Sequence, residues 1–232
     1  MATQKILEAF PPAPTREKKT RLELIQEADG GMSFNAHMTA KLLSLQKSET
    51  RRPIEDLKLL QAHHIEMCCN HPEDEGCVGW LSGSNNGIVR DEDGHGIGTV
   101  GAPYDVGQLI YVREPWAFAV DPLQYIYGAD EILAGAADIQ LETDYNKDAA
   151  KTTYHTPHWM PSDAARIFIR IENIWAERLK DISNCGAMSE GFQSEEEFIR
   201  SFLDIYTPRR WDNCYADNPF VWVYDFIVVE VF

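Results

Sequence analysis

Val221-Trp222-Val223-Tyr224-Asp225-Phe226-Ile227-Val228-Val229-Glu230-Val231-Phe232 is strand material almost without interruption. Branched and aromatic side chains of this kind fit a pleated, half-buried surface. A run this apolar on an open edge would template aggregation, so it is expected inside a sheet or barrel. Working outward, Ala165 to Trp175 alternates, with Ile167, Ile169 and Ile171 on one face and Phe168, Arg170 and Glu172 on the other. That is the period of a strand covered on one side. Gln108-Leu109-Ile110-Tyr111-Val112-Arg113 has strand composition too, and Pro115 ends it.

Helical signals lie between these runs. Asn35 is placed to cap a helix within residues 32–46, its side-chain oxygen accepting from an orphan N–H. Met38, Leu42 and Leu45 then form one buried stripe, and Pro53 forbids simple continuation. A further short helix is expected over residues 54–60. Ser183 can cap a helix that stops at Gly191, a residue suited to the left-handed C′ position. Glu195 to Tyr206 is amphipathic through Phe198, Phe202 and Ile205. Residues 1–31 read as an N-terminal arm, punctuated by Pro11, Pro12 and Pro14, with Leu22 and Ile25 supporting one helical turn. The rest, 32–232, reads as one domain with insertions at about 61–104 and 117–156. The first insertion is glycine-rich loop or hairpin material and the second lacks clean periodicity. There is no internal repeat or heptad pattern. Helix, strands, helix, strand is an α+β order with a modest, curved sheet.

The 232 residues carry a net charge of −16, from 21 basic and 37 acidic side chains. Such a field repels phosphate backbones, so non-specific DNA or RNA binding is disfavoured and any nucleic-acid role must be local. The first reading of the acidity is solubility; the alternative is a host protein partner bound through the acidic surface. Five irregularly spaced cysteines do not form a secreted disulfide framework. No apolar leader or membrane-length apolar run is present, so a cytoplasmic protein without membrane contact is expected.

Four stretches, taken in order, resemble one family. They are Met32-Ser33-Phe34 through Lys47-Ser48-Glu49-Thr50-Arg51-Arg52; Pro103-Tyr104 through Gly107 and Val112-Arg113-Glu114-Pro115-Trp116; Met160-Pro161 through Glu177-Arg178-Leu179-Lys180 to Ala187, Glu190 and Gly191; and Asn218-Pro219-Phe220 to Phe226. Together they resemble the ASCH domains of the PUA-like superfamily, in the long form common in phages and prophages. The resemblance implies a small β-barrel with flanking helices, long insertions and a cleft beside the first helix. It implies a nucleoside or RNA ligand, in the host cytoplasm if the protein is phage-encoded. Some short bacterial members of the family remove the acetyl group of 4-acetylcytidine, and another is a ribonuclease. Fold alone does not choose among these.

Residue by residue, the amidohydrolase pattern falls on Lys47, Thr50 and Glu190 as catalytic residues. The motif arginine falls on Arg52, and Ser48 stands where threonine is more usual. Amide cleavage needs a nucleophile, a proton acceptor and a stabilised oxyanion. Thr50 offers a hydroxyl. Lys47 acts as a base only if neutral, and an ionised Glu190 beside it would work against that; if the two touch, the alternative is Lys47 as an orienting cation with Glu190 shuttling protons. Arg52 offers a planar fork to a phosphate or a base edge. The bland alternative is that Lys47 to Arg52 merely meets the negative pole of a helix, with Glu190 pairing to one of the arginines. Arg113 and Glu114 read first as a structural ion pair or a barrel-mouth contact, with Arg113 kept as a substrate-binding candidate. Trp116, Trp211 and Trp222 are core residues by default, whereas Trp159, in a loop-like stretch, is the candidate to stack on a base. This stretch departs from the long phage members: Pro157-His158-Trp159-Met160-Pro161-Ser162 is one residue shorter than their run and lacks its arginine. No cofactor or metal is called for. His63, His64, Cys68, Cys69, His71 and Cys77 are zinc-ligand types but match no standard zinc spacing.

Overall fold

The structure is a computed structural model and describes residues 18–54, 64–67, 86–143, 148, 150–206 and 218–232. The strand-like runs pair as their composition demands. β11 (Ile167–Arg178) and β12 (Phe220–Val231) form a long antiparallel ladder, with register shifts at Phe168/Ile169 and Ile171/Asn173. Such bulges bend a strand and increase its twist. β6 (Leu109–Arg113) pairs antiparallel with the start of β11, and β1 (Gly31–Ser33) pairs parallel with β6. On the far side β2 (Glu49–Pro53) pairs antiparallel with β12. The resulting sheet has the order β1-β6-β11-β12-β2. Although β1 and β2 are its two edges, Arg52 of β2 donates from Nη2 to the Ser33 carbonyl of β1 at 2.5 Å. The sheet therefore curls until its edges lie within one side chain of each other.

Alternation divides the apolar residues between faces. Ile167, Ile169, Ile171, Ile110, Val112, Trp222, Tyr224 and Phe226 fill the concave side with Met32, Phe34 and Leu42. β3 (His64–Met67), β4 (Asn86–Arg90) and β5 (Gly96–Gly101) form a second antiparallel sheet, and its Ile65, Val89 and Val100 join this core. The convex side carries two smaller cores. One packs Leu24 of α1 (Arg21–Glu27) with Phe168, Tyr111 and Tyr127; the other packs Val221 and Val223 with Ala187, Phe198 and Phe202. Residues 21–27 of the stretch read as an arm are thus docked, and Arg21 also donates to the Ala165 and Asp163 carbonyls.

β7 (Trp116–Val120) and β8 (Leu123–Tyr127) form a hairpin leading into α3 (Gly128–Leu133), and β9 (Gln140–Leu141) pairs with β10 (Thr153–Tyr154). α4 (Asn184–Ser189) and α5 (Glu195–Tyr206) lie between β11 and β12 in the chain. Asn35 caps α2 (Ala36–Leu43), accepting from Met38 N–H at 2.8 Å. The expected stripe stops short, however. Leu45 is 80% exposed and left-handed, with φ 57°, because the helix ends at Ser44 to let the chain turn into β2. The buried face is Ala36, Thr39, Ala40 and Leu42. The helix expected over residues 54–60 falls, from residue 55 onward, outside the described residues. Among the described residues no helix is long and apolar enough to cross a membrane.

Candidate functional site

Two segments far apart in sequence meet beside β2, an edge strand of the sheet among the described residues. The first is the turn after α2, which carries Lys47 and runs into Thr50, Arg51 and Arg52. The second is the end of α4. Ser183 caps α4 by accepting from Gly186 N–H, and Glu190 is its C-cap. Gly191 takes φ 83°, while Gly191 N–H donates to Met188 O and Phe192 N–H to Ala187 O. This is a Schellman close, which needs a residue tolerant of positive φ at that point. It presents the Glu190 side chain toward Lys47. A backbone bond from Ser48 N–H to Ser189 O, 2.8 Å, fastens the two segments together.

Lys47, Thr50, Arg51, Arg52 and Glu190 line one cavity of about 510 Å³. Phe34, Phe192, Phe198, Phe202 and Tyr206 supply aromatic wall, and Thr156, Pro157 and His158 border it elsewhere. Lys47 and Glu190 form a buried ion pair, their side chains 1% and 3% exposed. Arg51 Nη1 lies 3.4 Å from Glu190 and 3.0 Å from Glu49, and its Nε 2.8 Å from Glu177. Burial pushes the Lys47 ammonium below the usual lysine range, and the Glu190 carboxylate opposes that shift. The Thr50 hydroxyl takes no hydrogen bond from the described residues. Arg52 is held rather than free: Nη1 donates to the Tyr206 hydroxyl at 3.2 Å, Nη2 to Ser33 O, and the guanidinium lies 4.9 Å from the Phe34 ring centre. Its Nε is buried without a partner among the described residues.

Chemically, this cavity combines aromatic side chains with a hydroxyl, a buried amine and a carboxylate. The other candidates lie elsewhere. Ser48 is exposed and contributes through its backbone, accepting from Phe226 N–H as well as donating to Ser189. Trp159 is 73% exposed, edge-on to His158 in a 3-10 turn whose first two residues border the cavity. Arg113 does not pair with Glu114. It lies over Tyr111 and donates to that hydroxyl at 3.3 Å, whereas the fully buried Glu114 takes Arg166 bidentately at 2.8 and 3.0 Å. Consecutive residues after a strand diverge, so adjacency in sequence did not make them partners.

Of the zinc-type cluster, His63, Cys68, Cys69, His71 and Cys77 lie outside the described residues, as does Trp211. Among the described residues no group of three or more His, Cys, Asp or Glu converges as metal ligands do. Sequence reasoning overlooked Arg51, Glu177 and the α5 wall. The apolar stripe of α5 was visible, but nothing local shows which face of the sheet it covers.

No family model matches the sequence, and no curated protein matches it. Among solved structures, the fold is similar to the crystal structure of protein EF3133 from Enterococcus faecalis V583, assigned to the family DUF984, with a TM-score of 0.40 and 10% identity over 88% of this chain and 77% of that one.

Proposed function

We propose that the curled sheet is a PUA-like barrel of the ASCH type, and that its cavity takes a modified pyrimidine nucleoside, free or within RNA, and hydrolyses an amide on the base without a metal. The observation that supports this reading is the convergence of Lys47, Thr50 and Glu190 on one aromatic-walled cavity. Lys47 gives up its proton to solvent before the reaction, which burial favours and the Glu190 carboxylate opposes. The neutral amine accepts the Thr50 hydroxyl proton as the oxygen attacks the acyl carbon. The base amine leaves with a proton, and water then cleaves the threonine ester. The net products are the free nucleoside and the carboxylic acid.

Incubation with 4-acetylcytidine tests the reading. Cytidine and acetate are expected from the unaltered protein and neither from Thr50→Ala. A second reading, a base-binding module without chemistry, is favoured by one feature: Glu190 is already charge-matched by both Lys47 and Arg51. Saturable nucleoside binding with no cytidine formed would select it.

A further inference from the structure

Lys47 acts as a base only after shedding a proton, yet a buried carboxylate sits against it. Something must weaken the hold of Glu190 on that proton. The two oxygens of the carboxylate have different partners. Glu190 Oε2 meets Lys47, whereas Oε1 faces Arg51 Nη1 at 3.4 Å.

Arg51 is fixed in this place from two directions. Cross-strand neighbours and alternate residues of one strand share a face of a sheet. Arg51 stands opposite Val223 and Glu177 opposite Val221, and both valines belong to the core under α4 and α5. Glu49, two residues before Arg51, shares that face. On it, Arg51 Nε donates to Glu177 at 2.8 Å and Nη1 to Glu49 at 3.0 Å, while Trp175 Nε1 donates to the other Glu177 oxygen at 3.0 Å. From above, α4 lies directly on the guanidinium. A Cβ added to Gly186 would come within 2.7 Å of Arg51 Nη2, so the glycine lets the helix, with Glu190 at its end, close onto the arginine. The Arg51 side chain is 2% exposed. Charges so little screened act strongly on one another. An arginine also keeps its charge throughout the range in which a lysine titrates. Its claim on Glu190 is therefore permanent, and Lys47 is the partner that can respond.

We propose that Arg51 is a positioning residue: anchored by Glu177 and Glu49, it holds one oxygen of Glu190 and so weakens that carboxylate's grip on the Lys47 proton. This inference rests on the reading of Lys47 as a base. Arg52 and Lys41 act on Lys47 in the same direction, Glu197 bears on Lys41, and Asp225 stands opposite Glu49. Without Arg51, the carboxylates of Glu190, Glu49 and Glu177 would all favour the protonated amine.

NMR of labelled lysine side chains against pH reports the Lys47 ionisation in the full chain without any substrate. Arg51→Met is expected to raise the Lys47 pKa by about one pH unit or more, and Arg51→Lys, which keeps the charge, to raise it less. Gly186→Ala pushes the guanidinium aside while favouring the helix, and is expected to raise it as well. With 4-acetylcytidine, the alkaline rise in kcat should move to higher pH in step, with KM unchanged. An unchanged or lowered Lys47 pKa in Arg51→Met, or in Gly186→Ala where Arg51→Met does not fold, overturns the positioning role. A raised Lys47 pKa together with an unaltered protein that releases no cytidine keeps the role and removes the amidohydrolase reading.

Discussion

Among the described residues, two buried ionic clusters differ in what they leave unsatisfied. Around Glu114, Arg166 fills both carboxylate oxygens, reaches Asp130 at 2.8 and 3.0 Å, and stacks 3.9 Å from the Tyr127 ring centre. Around Glu190, the carboxylate is shared between Lys47 and a longer contact to Arg51, while among the described residues the nearby Arg52 Nε is buried without a partner and a cavity adjoins. Burial and ion pairing are common to both clusters and do not by themselves mark a functional site. Vacant hydrogen-bonding capacity beside a ligand-sized hollow distinguishes the second.

If that contrast is sound, stability and activity should separate between the clusters. Glu114→Ala strands part of a buried guanidinium and should cost about 3–5 kcal/mol in denaturant unfolding, with nucleoside affinity of the folded fraction unchanged. Lys47→Met should cost less, about 1–3 kcal/mol, because Glu190 keeps Arg51 and adjoins a cavity that water can enter, but should lower turnover of 4-acetylcytidine by about 100-fold or more. A larger stability loss from Lys47→Met than from Glu114→Ala would reverse the comparison. Thr50→Val removes a hydroxyl that bonds to nothing described, so it should change stability by under about 1 kcal/mol while reducing turnover to background. A Thr50→Val protein that still turns over would remove the nucleophile from the mechanism.

The pH dependence of stability is the smallest expected effect, and its sign differs between the clusters. Burial raises the Glu114 carboxyl above the usual carboxylate range against the opposition of Arg166. Between its unfolded and folded pKa the folded state holds the extra proton, so this group's contribution falls as pH rises through that window. Lys47 is lowered instead. Between its folded pKa and the unfolded value near ~10.4, the unfolded state holds the extra proton, so its contribution grows with pH. Glu114→Gln should flatten the acid-side slope and Lys47→Met the alkaline one, as read from unfolding free energies across the pH range.

Local chemistry made much of the scaffold legible. β11 and β12 are legible as strands because their branched and aromatic residues fill cores on both faces of the sheet, Asn35 and Ser183 satisfy orphan helix donors, and Gly191 accepts the positive φ that ends α4. The three-residue β1 could not be seen, since Gly31-Met32-Ser33 carries no alternation and exists as a strand through its parallel pairing with β6. The β7–β8 hairpin was equally hidden, because Phe118, Val120 and Leu123 are exposed and blur the pattern. Within the site, Lys47, Thr50 and Glu190 were singled out through resemblance, and Arg51 was not singled out at all.

The sequence by itself determined where strands, caps and turns can form, because those depend on side-chain shape and on hydrogen bonds spanning a few residues. Only the tertiary structure decided that Glu190 meets Lys47 across 143 residues, that Arg166 rather than Arg113 neutralises Glu114, and that Thr50, Arg51 and Arg52 line a cavity with that pair. Those outcomes depend on which strands become neighbours and how far the sheet curls. Both follow from burying the whole apolar surface at once, and no short window of residues encodes that.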